Sequence, residues 1–119
     1  MVAVLNGLGD AGQWILGFSL VFLPVPVVGE LRFGALNSGR PHDNIQRVEK
    51  FLAGCQVLDA RTSTAEVYAR VRLDLKRIGR PIPENDIWIA ALCIEHDAPL
   101  ATHDGHFDFV NGLKVVRRP

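Results

Sequence analysis

The 119-residue chain lacks net charge: 13 Lys and Arg residues balance 13 Asp and Glu. A neutral chain has no global field with which to coat a polyanion, so nucleic-acid contact has to come from a local basic patch or from bound cations. Cysteine is scarce. Cys55 and Cys93 are the only two, widely separated and in apolar surroundings, which argues against a disulfide framework and for buried, reduced thiols of a cytosolic protein. A long apolar run is also missing. The stretch from Leu16 to Val28 is too short and too interrupted by proline to span a bilayer, and no basic segment precedes it. The expected location is the cytoplasm, without membrane contact. Neither cysteine has a histidine at a telling spacing and no serine sits at a strand-to-helix elbow, so a nucleophilic triad is not indicated.

What is present is an ordinary globular composition, 48% apolar and 22% charged, in a length that suits one domain over residues 1–119. Residues 10–18 have a helical pattern, and Leu20 to Leu23 read as a short apolar strand ending at Pro24. Pro26 suits the first turn of a helix running to about Asn37, where Ser38-Gly39-Arg40-Pro41 stops it. A helix is expected from about Asp43 to Ala53 and a strand over Gln56 to Leu58. Ser63-Thr64-Ala65-Glu66 has capping-box spacing, and Val67, Val71, Leu75 and Ile78 mark the core stripe of a long helix closed by Gly79. The next helix is different. From Ile87 to Ile94 it has no polar face, so it has to be buried. Strands follow at Pro99–Thr102 and Leu113–Val116, separated by a turn or short helix over His103–Phe109. Short apolar strands alternating with helices imply an α/β fold, a parallel sheet flanked by helices.

Acids stand where such a sheet opens its site. Asp86 sits at the mouth of the apolar helix, and Asp104 follows the strand at Pro99–Thr102; connectivity brings that strand end back toward the helix start. An acid at a helix start is common for purely structural reasons, as is an Asp in a turn before glycine. Their location argues for more, because ligands of open parallel sheets bind at the carboxyl ends of the strands. Glu30, inside its helix, is the candidate third member. Carboxylates crowded in a partly dehydrated cleft raise one another's pKa unless a divalent cation holds them, and hard oxygen donors select Mg²⁺ or Mn²⁺. His103-Asp104-Gly105-His106 has no partner group elsewhere in the sequence that would complete a structural zinc site. Arg70, Arg72, Lys76, Arg77 and Arg80 gather on the long helix and its exit, either as a solvated face or as a contact for phosphates.

Three segments together resemble the PIN-domain ribonucleases, the fold of the VapC-type toxins. Val25-Pro26-Val27-Val28-Gly29-Glu30-Leu31-Arg32-Phe33-Gly34-Ala35 looks like that family's second motif, with Glu30 as its acid. Arg80-Pro81-Ile82-Pro83-Glu84-Asn85-Asp86-Ile87-Trp88-Ile89-Ala90-Ala91 looks like the third, with Asp86 as its acid. Thr102-His103-Asp104-Gly105-His106-Phe107 looks like the fourth, with Asp104 as the acid and Thr102 a hydroxyl near the site. The resemblance implies a PIN-like three-layer sandwich and Mg²⁺ or Mn²⁺ at Glu30, Asp86 and Asp104. It further implies endonucleolytic cleavage of RNA, with Thr102 and Arg80 toward the substrate, homodimers, and neutralisation by a small antitoxin. The alternative function is a catalytically inert PIN-fold protein that retains partner binding.

The departure is at the start, where the family's first strand ends in Asp-Thr-Asn and this chain has no such motif. In one alignment Val4-Leu5-Asn6-Gly7 matches the end of the family's first helix, and the central strand with its Asp lies upstream of Met1; this needs no deletion and is the expectation. In the other, Met1 to Leu5 is itself the strand, Asn6 occupies the Asp position and the first helix is shortened. Metal titration separates them: Asn6→Asp strengthens Mg²⁺ or Mn²⁺ binding at least about tenfold under the second alignment and leaves it unchanged under the first.

Overall fold

A computed structural model describes residues 2–5 and 20–117 of the chain. Five parallel strands form one sheet in the order β3-β2-β1-β4-β5: β1 (Val2–Leu5), β2 (Leu20–Pro24), β3 (Gln56–Leu58), β4 (Leu100–Ala101) and β5 (Val115–Val116). The helices are α1 (Val25–Leu36), α2 (Pro41–Ala53), α3 (Thr62–Arg77) and α4 (Glu84–Glu95), with a 3-10 turn over Gly105–Phe109. The α/β class and parallel sheet are as expected from the alternating pattern.

The placement of β1 corrects the preferred alignment of the N-terminus. Val2–Leu5 lies at the centre of the sheet, paired with β2 through Val4↔Phe22 and with β4 through Leu5↔Ala101. The central strand is therefore within the chain, not upstream of Met1. A four-residue apolar run is too short for periodicity to distinguish a strand from a helix end, and only pairing on both sides decides it. The helix expected over 10–18, together with Asn6, Asp10 and Trp14, falls outside the described residues.

Element boundaries follow local chemistry. Pro26 stands in the first turn of α1, and α2 begins at Pro41, two residues before the expected Asp43, because proline at the first helical position loses no hydrogen bond. The α3 start also differs. The helix opens at Thr62, so Ser63, expected as its cap, is its second residue, and the backbone N–H of Arg61 donates to Oγ1 of Thr64 at N3, at 3.0 Å. Gly79 adopts φ +70°, and the Arg80 N–H reaches back to the Leu75 carbonyl at 2.9 Å, closing α3 as read. Ile78, placed on the core stripe, is instead 56% exposed because the helix has ended before it. A second left-handed residue, Asp97 at φ +50°, ends α4, with Ala98 N–H bonded to the Cys93 carbonyl at 2.9 Å.

The core is organised around α4. Ile87, Ile89, Ala90, Ala91, Leu92 and Cys93 are all buried, as an apolar helix without a polar face requires. Burial of each large aliphatic side chain here contributes about 1.5–3 kcal/mol. Val71 and Leu75 of α3, Leu23 of β2, Val27 of α1, Leu100 of β4 and Phe107 of the 3-10 turn complete the cluster. Tyr68 and Trp88 stack at 4.2 Å between α3 and α4. Cys93 is buried and reduced, its thiol pushed up to about 12 by loss of solvent, and Cys55 is raised for the same reason.

Polar ties hold the far end of α4. The hydroxyls of Ser63 and the fully buried Thr64 both donate to the Glu95 carboxylate, the latter at 2.5 Å, and these bonds hold Glu95 below the ordinary glutamate range. A depressed carboxylate stabilises the fold above its unfolded pKa and loses that contribution as pH falls through its folded pKa. Glu95→Ala is thus expected to lower unfolding free energy at pH 7 by about 1 kcal/mol, solvent screening included. In denaturant titrations, the gap from the parent should shrink as pH drops below about 4.3, the ordinary glutamate value; a gap independent of pH would deny the charge its role.

Candidate metal and nucleic-acid site

The carboxyl ends of β2 and β4 and the start of α4 deliver the candidate acids to one edge of the sheet. β2 runs directly into α1, so Glu30 lies between one and two turns from that strand end. Asp86 is the third residue of α4, not its cap, since the helix opens at Glu84 after Pro83. Asp104 follows β4 by three residues and caps the 3-10 turn, its Oδ1 accepting the His106 N–H at 2.9 Å.

Asp86 and Asp104 meet through a residue that motif reading passed over. His106 Nδ1 lies 3.2 Å from Asp86 Oδ2 and 3.2 Å from Asp104 Oδ1, and the donor atoms of the three residues all fall within 4.8 Å of one another. Glu30 stands in the second rank. Asn85 Nδ2 donates to its Oε1 at 2.6 Å, and its charge is close enough to raise Asp86. The sequence cue for His106 was its place two residues after Asp104 in a turn; for Asn85 it was adjacency to Asp86.

Asp86 is the strained member of the group. Its carboxyl is raised, first by burial and then by the charges of Asp104 and Glu30, while the bond to His106 and that ring's charge pull it down. The side chain is only 16% exposed. Mutual repulsion in a partly dehydrated cleft is the condition that a divalent cation relieves, and carboxylate oxygens from two separate elements suit a hard cation.

Thr102 and Arg80 support the rim in different ways. Thr102 is buried and its Oγ1 accepts the Asp104 N–H at 3.0 Å, so it positions the acid instead of facing solvent. The Arg117 guanidinium donates from Nη1 to the carbonyls of Thr102, at 3.0 Å, and Asp104, at 3.3 Å, and from Nη2 to Asp108, clamping the loop. Arg117 had no motif to reveal it. Arg80, delivered by the turn at Gly79, lies with its guanidinium 4.0 Å over the Phe109 ring. It shares a groove of about 250 Å³ with Gly105, Phe109 and His106, the residue that meets both acids.

The PIN domain family model matches residues 6–113. This chain belongs to the PIN-domain family. Its relatives include Ribonuclease VapC5 of Mycobacterium tuberculosis, 31% identical over 94 residues, covering 77% of this chain and 70% of that protein. Ribonuclease VapC2 of Haemophilus influenzae is 39% identical over 64 residues, 54% of this chain and 48% of that protein. The fold is that of VapBC-5 from Mycobacterium tuberculosis, a member of the VapBC family of toxin-antitoxin systems: TM-score 0.78 and 23% identity over 98% of both chains. No helix among the described residues of this PIN domain is long and apolar enough to cross a membrane.

The raised Asp86 sets a direct test. A carboxyl whose folded pKa lies above its unfolded value disfavours the folded state once ionised, and that cost disappears below the ordinary Asp value of about 3.9. Metal-free Asp86→Asn should therefore be at least as stable as the parent at pH 7, with the advantage vanishing toward pH 3. Marked destabilisation of the variant at pH 7 would make Asp86 a structural helix-start acid.

Proposed function

We propose that this PIN domain is a metal-dependent endoribonuclease of the VapC type, hydrolysing RNA phosphodiester bonds at Asp86, Asp104 and Glu30. The observation that carries the reading is the convergence of these acids at the carboxyl end of a parallel sheet, with Asp86 raised by burial and then by its two acidic neighbours. The two relatives, both ribonucleases by name, support it. Asp86 and Asp104 would hold Mg²⁺ or Mn²⁺, with Glu30 oriented by Asn85 as the outer acid. The chemistry such a cation supplies when bound is acidification of the attacking water and neutralisation of the leaving oxygen. The chain's own residues prepare for it. Thr102 and Arg117 fix the Asp104 loop, burial keeps Asp86 partly dehydrated, and Arg80 stands where it can meet a phosphate of the RNA backbone.

For partners, the reading is a small antitoxin and a second copy of the chain. The toxin-antitoxin system named for the similar fold supports the first. Exposed apolar side chains support association of either kind: Phe33 is 66% and Leu36 64% exposed on α1. The work of such a protein, inhibiting growth by cutting RNA, is cytoplasmic. The alternative of an inert PIN-fold binder keeps the partner surface and drops the cleavage.

The decisive experiment is cleavage of a mixed RNA substrate with and without Mg²⁺ or Mn²⁺. Asp86→Asn and Asp104→Asn should each abolish divalent-dependent cleavage while circular dichroism stays unchanged, because the amide keeps the shape and removes the charge. Cleavage that survives both substitutions refutes the site, and a parent inactive with either metal favours the inert binder.

A further inference from the structure

We infer that His106 is a direct metal ligand of this site and that its nitrogen shifts the site's preference from Mg²⁺ toward Mn²⁺. The inference rests on the metal-site reading above and deepens it. Its basis is geometry. Ligands about 2.1 Å from an octahedral cation and at right angles to one another stand about 3 Å apart. His106 Nδ1 is 3.2 Å from Asp86 Oδ2 and 3.2 Å from Asp104 Oδ1. All three donor atoms lie within 4.8 Å of one another, so the two carboxylates need to close in by at most about 2 Å for one ion to touch all three on a single face.

The turn is built to present that ring. Asp104 caps the His106 N–H, and the next residue, Phe107, is 1% exposed and anchors the turn in the core beneath α4. Its imidazole stays at the mouth, 53% exposed, facing both acids. Without an ion Nδ1 donates its proton to Asp86 Oδ2; an ion would replace that proton, leaving the other on Nε2 and the Nδ1 lone pair for the metal. Charge points the same way. No Asp or Glu occurs in the first nine residues, so β1 and the four residues after it contribute no carboxylate. A neutral nitrogen adds a donor where the chain has fewer acids to give. Imidazole favours first-row transition metals, whereas Mg²⁺ demands oxygen and dehydrates reluctantly.

The test is Mn²⁺ bound to the full chain and read by pulsed electron paramagnetic resonance, with affinities for Mn²⁺ and Mg²⁺ measured separately. The parent should show nitrogen coupling from one imidazole. His106→Ala should lose that coupling and bind Mn²⁺ at least about tenfold more weakly, since loss of even an outer partner of a metal ligand costs 10–100-fold. His106→Asp should bind without nitrogen coupling and favour Mg²⁺ relative to the parent. Mn²⁺ bound by the parent without nitrogen coupling, or coupling that persists in His106→Ala, overturns the role of His106 and leaves the acidic site standing. A parent that binds neither ion overturns the metal-site reading itself.

Discussion

Burial of α4 is the constraint on which the rest depends. A helix with no polar face from Ile87 to Cys93 is stable only when surrounded, and α3, β2, β4 and the 3-10 turn are arranged to surround it. Its first turn then has no freedom to move away from the sheet edge. Asp86, on that turn, is held partly out of water because most of the helix behind it is buried. The geometry of the candidate site is thus a consequence of core packing: the hydrophobic energy that fixes α4 is also what keeps an ionisable group in an unfavourable place.

Opposing charges decide how that place is tolerated. Asp86 is raised by burial and by Asp104 and Glu30, and is relieved by His106 from the facing loop. Around it, neutral or cationic groups take up the remaining acids: Asn85 bonds Glu30, the Thr102 hydroxyl and Arg117 hold the backbone of Asp104, and Arg117 pairs with Asp108. At the opposite end of the helix the logic reverses. Glu95 is depressed because two hydroxyls favour its charged form, so one helix carries a carboxylate that costs stability at its start and one that contributes it at its end.

Much of this was legible before the structure. The apolar run after Asp86 required a buried helix, Gly79 marked the close of α3, and the three motif acids lay where a parallel sheet opens. Other features were not legible for identifiable reasons. Val2–Leu5 is too short to announce itself as a central strand, and pairing with β2 and β4 is what makes it one. The capping role read at Ser63 passed to bonds with Glu95, about thirty residues distant, which no local window can contain.

Sequence alone determined the class of fold and the burial of α4, because each follows from residue type and spacing along a few turns or strands, while resemblance to the family's motifs named the candidate acids. Tertiary structure alone decided that His106 bridges Asp86 and Asp104, that Thr102 positions an acid instead of meeting solvent, and that Arg117 clamps the loop. Those facts depend on separations of a few ångströms between segments far apart in the chain. Hydrogen bonds and Coulomb forces act over such distances in space, and residue order does not encode them until the core has set the elements in place.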